Sequence, residues 1–306
     1  MNPPIVLERL AKSFGSKRAV DGLSFAVPHG HIFGLIGPNG AGKTTTFSMM
    51  AGYLSPTSGT LDILGRNPKD TGAMRGRMGV LPQDALLPAR ANAGDLLAYF
   101  ARLQGFSAAT SKKMAADVLA SVGLADCLGT RCGALSHGMA KRVGIAQAFL
   151  GDPELVLLDE PTAGLDPKNA HHLRELIRAR RTAGRTIVIS SHNLHELESL
   201  CDSAAIIDKG RLVAKGTMAE LTGSAREVRV GITSAQVALE PLRALKGVVA
   251  AEFDAASRTL LIRVDPQAAK AEEAATQILA RLIADGHLIT TVAQGHSLED
   301  RVMRML

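Results

Sequence analysis

Hydrophobic and polar positions alternate near the start of this chain and then give way to short apolar runs. The alternation at residues 5–7 and 23–27 predicts two antiparallel strands. Residues 31–36 are almost wholly apolar, which is typical of a strand buried at the centre of a sheet. A glycine-rich turn follows directly, and residues 44–51 predict a helix. Strand, glycine-rich turn and helix in this order form the context of a phosphate-binding loop.

Helical spacing dominates the middle of the chain. Apolar positions three and four apart between residues 95 and 150 predict several helices, so we expect a helical subdomain at about 90–150. The β pattern returns at residues 155–158, 186–190 and 205–208. Strands that are separated by helices imply a mainly parallel sheet with helices on both faces.

The last 80 or so residues have a pattern of their own, which follows a small polar stretch at residues 221–225. We therefore expect a boundary between domains 1–224 and 225–306. The order of elements in the second domain is βαββαβ, which predicts a ferredoxin-like α+β fold. Ile278, Leu279, Leu282 and Ile283 should share the packed face of its second helix. The elements are strand 227–232, helix 235–245, strands 248–253 and 259–264, helix 267–285, strand 287–293 and a terminal helix 297–306.

Composition narrows the classes of partner. The chain has 306 residues and a net charge of +6, and residues 225–306 carry ten basic and ten acidic side chains, so the excess lies in the first 224. A modest basic excess is compatible with phosphate binding or with an anionic membrane face. Without Trp and with only two Tyr, the chain lacks the stacking surfaces of a nucleic-acid binder, and we expect no nucleic-acid partner.

Cysteine usage and hydropathy favour a cytoplasmic protein. The three cysteines show no C-x-x-C spacing, so we expect small buried hydrophobic residues rather than a metal site or disulfides. No apolar run reaches 18 residues, and residues 1–15 lack the apolar core of a signal peptide. Any contact with a membrane should therefore pass through a partner.

The glycine-rich turn matches G-x-x-x-x-G-K-[ST] at every fixed position. Its backbone N–H groups can turn inward around phosphate oxygens, and the following helix directs its positive end at the anion. Lys43 should reach the β and γ phosphates, and Thr44 should bind Mg²⁺. The motif alone predicts binding of a nucleoside triphosphate. The predicted nucleotide-binding residues are Gly37, Pro38, Asn39, Gly40, Ala41, Gly42, Lys43, Thr44 and Thr45.

Two carboxylates follow the apolar run at residues 155–158. Asp159, at the end of the predicted strand, can hold Mg²⁺ through water. Glu160 would then lie beside the γ phosphate, where a carboxylate can accept a proton from the attacking water. The alternative, two acids that merely end a strand, loses weight because the phosphate loop is present in the same chain.

Three further motifs stand at fixed places around these two. Leu135-Ser-His-Gly-Met139 lies between them, Pro161-Thr-Ala-Gly-Leu-Asp166 follows Glu160, and Ser190-Ser-His192 comes later. In this order and spacing, the five motifs resemble the nucleotide-binding subunit of ABC transporters across residues 5–220. The resemblance implies an α/β P-loop ATPase core of ABC type with a mixed sheet and a helical subdomain.

The resemblance also implies roles for single residues. Gln83 would touch the metal and couple to the membrane partner, and His192 would contact the γ phosphate. Ser136 and Gly138 would bind the γ phosphate that the opposite subunit holds. Asp166 would join the two sites, and Phe14 would stack on adenine.

Each of these residues also has a purely structural interpretation. Gln83 could be a solvated loop residue, and His192 an ordinary residue at a helix start. Ser136 and Asp166 could cap the helices that follow them, in addition to their implied roles. Phe14 could belong to the hydrophobic core.

The signature motif departs from the usual Leu-Ser-Gly-Gly-Gln of the family at two positions. His137 adds bulk and a titratable group, and Met139 removes an amide, while Gly138 is kept. Met followed by a basic pair, here Lys141 and Arg142, recurs in the exporter branch. The tail loosely resembles the C-terminal extension of some exporter ATPases.

Together these observations predict an ATP- and Mg²⁺-dependent ATPase. One phosphate loop and one signature motif per chain imply a homodimer or a paralogous heterodimer that closes around two ATP and drives a separate integral membrane permease. The alternative is a soluble ABC-type ATPase that is not coupled to transport. A P-loop metabolic kinase would leave Ser136, Gly138 and His192 without explanation.

Overall fold

The computed structural model describes residues 2–83, 86–223, 227–265, 268, 271–295 and 297–305. It divides into two compact units, Met1–Lys215 and Gly216–Leu306. The predicted boundary at residue 225 lies outside the described residues, and so does part of the predicted helix 267–285. The division into domains 1–224 and 225–306 stays a prediction.

The first unit contains two sheets and the helices around them. Its elements, in chain order, are β1 (Ile5–Phe14), β2 (Lys17–Val27), β3 (Ile32–Ile36), α1 (Lys43–Met50), β4 (Ser58–Ile63), α2 (Thr71–Met74), β5 (Met78–Leu81), α3 (Ala93–Leu103), α4 (Ala108–Ser121), α5 (His137–Phe149), β6 (Leu155–Asp159), α6 (Pro167–Thr182), β7 (Thr186–Ser190), α7 (Leu194–Leu200), β8 (Ser203–Asp208) and β9 (Arg211–Thr217).

The central sheet has the strand order β5-β6-β7-β3-β8-β9. From β5 to β8 all neighbouring pairs are parallel, which confirms the predicted mainly parallel sheet. Every residue of β3, β6 and β7 is buried, so the continuous apolar runs reflect strands covered on both faces. Because β3, β6 and β7 are adjacent and parallel, the loops that follow them meet at one edge of the sheet.

The smaller sheet is antiparallel, with the order β2-β1-β4. Both strands predicted at residues 5–7 and 23–27 are present, but each extends much further towards the turn at residues 15–16. Register shifts interrupt their pairing after Leu7 and after Leu10, which breaks the alternation that the sequence pattern relies on.

Side-chain caps begin the helices that border the loops of interest. The hydroxyl of Ser136 accepts from the Met139 N–H at the start of α5, and Asp166 accepts from the Asn169 N–H at the start of α6. The residue after Asp166 is a proline, whose missing N–H costs nothing at a first helical position. The predicted capping of both helices is therefore confirmed.

The second unit contains α8 (Met218–Thr222), β10 (Glu227–Ile232), α9 (Glu240–Arg243), β11 (Val248–Asp254), β12 (Thr259–Val264), α10 (Ala271–Ala284), β13 (Ile289–Gln294) and α11 (Leu298–Met305). Its sheet has the order β11-β12-β10-β13 with antiparallel neighbours throughout. This is the ferredoxin-like topology that the βαββαβ order predicted.

Two details predicted for the second unit are wrong. The helix expected at residues 235–245 is only Glu240–Arg243, because Pro241 fits the first turn of a helix but not its interior. Ile283 is 64% exposed, whereas Ile278 and Leu282 are buried. Ile283 lies five residues beyond Ile278, about 140° around the helix, and so leaves the packed stripe.

The cysteines of the first unit are all free thiols. Cys132 and Cys201 are buried, as expected for small hydrophobic residues, and Cys127 is half-buried.

Candidate active site

The phosphate-loop motif occupies the turn between β3 and α1. Gly42 has φ 101°, and a Cβ there would lie 2.5 Å from the carbonyl oxygen of Ala19. A side chain at Gly37 would likewise collide with the carbonyl of Ile207. Both positions therefore require glycine, and the loop can present backbone N–H groups at the start of α1.

A cavity of about 210 Å³ opens beside this loop. Nine of the predicted site residues line it. The fold therefore brings the phosphate loop, Gln83 and the two acids at the end of β6 together. The lining residues are Lys17, Ala19, Asn39, Gly40, Gly42, Lys43, Thr44, Thr45, Gln83, Asp159 and Glu160.

Lys43 turns back on its own loop. Its Nζ donates to the carbonyl oxygens of Gly37 at 2.6 Å and Pro38 at 3.2 Å. Ala41, buried within the loop, is held by the N–H of Gly210, which donates to its carbonyl at 3.0 Å. The ammonium group is thus positioned over the mouth of the loop, where an anion would replace carbonyl oxygens as its partner.

Three oxygen-bearing side chains face the same cavity. The Thr44 hydroxyl donates to Gln83 Oε1 at 3.3 Å, and Asp159 lines the cavity beside them. Hydroxyl, amide and carboxylate oxygens are the ligands that Mg²⁺ prefers in proteins. The donor set therefore fits the predicted Mg²⁺, with room for water and phosphate oxygens to complete the shell.

Two opposite charges are buried in this site. Burial lowers the pKa of Lys43, although the Glu160 and Asp159 carboxylates act in the other direction. Burial raises the pKa of Asp159, against the Ser190 hydroxyl that donates to its Oδ1. Only 8% and 3% of their surfaces are exposed, so for both groups the charged form costs folding free energy.

Glu160 has a backbone conformation that is unusual for a residue with a side chain. Its φ is 50°, and its N–H donates to the Ser190 carbonyl at 3.2 Å and to the Ser190 hydroxyl at 3.1 Å. These bonds connect the end of β6 to the end of β7 and hold the strained conformation. The resulting turn directs the Glu160 side chain into the cavity.

The carboxylate of Glu160 contacts His192, the residue for which the family resemblance implies a contact with the γ phosphate. Glu160 Oε2 lies 2.8 Å from His192 Nδ1. His192 itself is exposed, in the middle of the short loop between β7 and α7. A carboxylate beside an imidazole at the mouth of a phosphate site is an arrangement able to orient a water molecule and to hold its proton.

The signature residues stand apart from this cavity. Ser136 is exposed, and a Cβ on Gly138 would lie 3.9 Å from Gly164 and Leu165, in the loop before α6. A Cβ on Gly164 would lie 2.9 Å from His137 Nε2, so the unusual histidine lies directly against that loop. None of Ser136, Gly138 and Asp166 is among the residues that line the cavity.

Phe14 is not a core residue. It is 50% exposed, with the ammonium of Lys12 5.2 Å from the ring centroid. Its neighbour across the turn of the small sheet is Lys17, which lines the cavity. The ring is therefore available at the edge of the site, and stacking on adenine stays a prediction.

Three residues of the site escaped the sequence interpretation. Lys17 and Ala19 lie just past the turn between β1 and β2, and their position follows only if the pairing is extended to Phe14. Ser190 bonds both acids after β6, and Asp159 and Ser190 are direct neighbours in the sheet. The sequence does show that Ser190 is a polar residue at the end of a buried apolar run, and this pattern could have indicated a contact with the acids that end the neighbouring run.

Comparison with known proteins identifies the family. The family model described as ABC transporter matches residues 20–163, and a second one, described as an AAA domain, matches residues 132–198. A linearmycin resistance ATP-binding protein of Bacillus subtilis is 34% identical, over 90% of this chain and 89% of its own length. The chain belongs to the ABC transporter ATP-binding proteins. ATP hydrolysis coupled to transport is its activity.

Other members of the family are similar over most of their lengths. The Nod factor export ATP-binding protein I of Ralstonia nicotianae is 37% identical over 87% of this ABC ATPase and 83% of its own chain. A daunorubicin/doxorubicin resistance ATP-binding protein of Streptomyces peucetius is 37% identical, over 77% and 72%.

Solved structures agree on the fold. An ATP-binding subunit of an ABC transporter superposes with a TM-score of 0.66 at 30% identity, over 72% of this chain and 92% of its own. A dimeric ATP-binding cassette bound to ADP and Pi superposes with a TM-score of 0.65 over 70% of this chain; at 21% identity it supports the fold alone. In the part of the chain that the structure describes, no helix has the length and hydropathy of a membrane span.

The buried charge of Asp159 predicts a gain in stability when it is removed. Because its pKa is raised in the folded protein, the carboxylate costs folding free energy at neutral pH. We expect Asp159→Asn to raise the thermal midpoint of the nucleotide-free protein by about 2–4 °C, the shift that about 1 kcal/mol causes in a domain of this size. Calorimetry at neutral pH measures it, while ATPase activity should be lost.

The gain in thermal midpoint from Asp159→Asn should depend on pH. The gain should be complete above the raised pKa of Asp159, should shrink as the pH falls from there, and should be absent below the ordinary Asp pKa of about 3.9, where the folded and unfolded wild type are both protonated. Asp117→Asn, at an exposed ion pair with Lys113, is the control and should leave the midpoint unchanged. A lower midpoint for Asp159→Asn at neutral pH would contradict the interpretation.

Proposed function

We propose that this ABC ATPase is the motor subunit of an exporter. It binds ATP with Mg²⁺, pairs with a second copy or a paralogue around two ATP, and drives a separate integral membrane permease. The contact between Glu160 and His192 at the mouth of the phosphate cavity carries the proposal, because a base and its partner are what hydrolysis would require beside the transferred group. The names of the relatives support export rather than import.

The reaction is attack of water on the γ phosphorus of ATP. A bond forms between the water oxygen and phosphorus, the bond to the bridging oxygen of ADP breaks, and the proton of the water passes to Glu160. Lys43 and the loop N–H groups offset the charge on the phosphate oxygens. Thr44, Gln83 and Asp159 would hold Mg²⁺, which would supply positive charge to the phosphate oxygens.

The position of the signature residues supports pairing. Ser136 is exposed, Gly138 is half-buried, and both stand apart from the cavity of their own chain, so they are available to a phosphate that another subunit holds. In a head-to-tail pair, each chain would complete the site of the other. Asp166, at the start of α6, would then lie between the two sites.

A groove next to Gln83 is suited to the membrane partner. It has a volume of about 160 Å³, and Phe47, Tyr53, Val80 and Pro82 line it together with Gln83. Because Gln83 also faces the nucleotide cavity, a segment of the permease seated in this groove would sense the occupancy of the site. The ATPase would thus lie on the cytoplasmic face of the membrane, attached through its permease.

Glu160→Gln tests the reaction. The amide keeps the shape of the side chain but cannot accept a proton, so we expect unchanged ATP affinity and a loss of turnover of about 10²–10⁴-fold. An ATP-bound dimer should also accumulate, since hydrolysis no longer ends it. Nucleotide titration, a phosphate-release assay and size exclusion with Mg-ATP measure the three effects.

Glu175→Gln is the matched control, since this glutamate forms an exposed ion pair with Arg178 on α6. It should leave binding, turnover and assembly unchanged. If Glu160→Gln hydrolyses ATP near the wild-type rate and elutes only as a monomer with Mg-ATP, Glu160 is not the base and the proposed cycle is wrong.

The tail, residues 225–306, has a closed hydrophobic core of its own and balanced charges. We propose that it regulates the pairing of subunits rather than the chemistry. A protein truncated after Gly223 should fold, bind ATP and hydrolyse it, with a changed dependence of rate on protein concentration. ATPase rate per subunit, measured for both proteins across a dilution series, decides this. Superimposable curves would leave the tail without that role.

A further inference from the structure

The loop between β6 and α6 has a second attachment besides Glu160. The hydroxyl of Thr162 donates to Glu196 Oε2 at 2.7 Å. Thr162 lies between Glu160 and Asp166, whereas Glu196 lies on α7, four residues after His192. One hydrogen bond therefore joins the loop that carries the base and the subunit-linking aspartate to the segment that carries the γ-phosphate histidine.

Glu196 is an unusual residue to find at this place. It is only 7% exposed, and its nearest cation is Arg174, with Nη1 at 3.7 Å from Oε1. Oε1 is buried and accepts no hydrogen bond from the described residues. A carboxylate at a buried position needs partners, and the side chains of Thr162 and Arg174 are the ones that approach its two oxygens.

The link complements the contact between Glu160 and His192. In the proposed reaction the Glu160 carboxylate takes up a proton, so its bond with His192 changes during the cycle. The bond between Thr162 and Glu196 involves no reacting atom and can persist throughout. The α7 side of the link is itself fixed, because Asn193 Oδ1 accepts from the Glu196 N–H at 3.1 Å.

The loop turns between Thr162 and Asp166. Gly164 has φ 78° and faces the exposed ring of His137. Thr162 is thus a point between the two ends of this loop at which a side chain attaches it to α7.

We propose that Glu196 is a positioning residue that, through Thr162, makes the loop of Glu160 and Asp166 and the segment of His192 move as one unit. Occupation of the γ-phosphate site next to His192 would then be transmitted to Asp166 and so to the partner's site. The inference rests on the proposed paired function.

Removal of the Thr162 hydroxyl tests the link. Thr162→Val keeps the shape and should lower kcat about tenfold to a hundredfold, the range expected for one hydrogen bond to a charged group, with KM for ATP unchanged. Thr162→Ser, which retains a hydroxyl, should restore most of the turnover, and so should Glu196→Gln, whose amide oxygen still accepts. Glu196→Ala should resemble Thr162→Val, while the control Glu175→Ala should keep wild-type kinetics.

A merely structural role would give a different pattern. Thr162→Val and Glu196→Ala would then lower the thermal midpoint but leave kcat of the folded protein unchanged, which would overturn the proposal. Since both substitutions break the same bond, the double variant should have the kcat of the single ones. Losses that multiply in the double variant would show two independent effects and would also overturn it.

Mixed dimers test transmission to the partner. One chain carries Lys43→Ala, so only the site with the other chain's phosphate loop is active. We expect Thr162→Val to lower turnover in either chain, since it affects His192 of the active site in one arrangement and Asp166 opposite it in the other. Loss in only one arrangement would refute the coupling. Normal turnover of Glu160→Gln, by contrast, would refute the proposed function itself, whatever Thr162 does.

Discussion

The burial of two opposite charges at the carboxyl edge of a parallel sheet is the constraint on which this site depends. Lys43 and Asp159 are both nearly removed from water, and this burial lowers the pKa of Lys43 and raises the pKa of Asp159. Buried charges persist where they are paired or where a ligand completes their shells. Bound ATP would give Lys43 an anionic partner, so part of the cost in the nucleotide-free protein would be returned as binding free energy.

The fold meets this constraint with the order of its strands. β3, β6 and β7 are parallel neighbours, and the phosphate loop, the acid pair and the histidine loop follow them in turn. Ser190 secures the arrangement, since it bonds both Asp159 and the backbone of Glu160. The strained φ of Glu160 is thus a consequence of joining β6 to β7 at the point where its side chain must enter the cavity.

How much the sequence could predict depends on whether a feature is local. Continuous apolar runs identified β3, β6 and β7 because burial on both faces leaves a clear pattern, and the glycine loop matched at fixed positions. The pattern does not predict the full length of β1 and β2, because register shifts break the alternation. For the same reason the sequence did not indicate that Lys17 lines the cavity. Glu196 reads as one acid among several on a helix, and only the folded chain brings it to Thr162.

The signature residues and Asp166 lie outside the phosphate cavity of their own chain. Ser136, Gly138 and Asp166 all lie at helix starts, where unpaired N–H groups and the helix dipole favour an anion. In this chain those helix starts do not line the phosphate cavity. Ser136 and Asp166 already cap their own helices as acceptors, and the Ser136 hydroxyl keeps a proton that it can donate to a phosphate brought by another subunit. The short loop between Glu160 and Asp166 begins at the cavity and ends at the exposed start of α6. Its attachment to the subunit is therefore the place where a change at the cavity can reach the surface that a second subunit would contact.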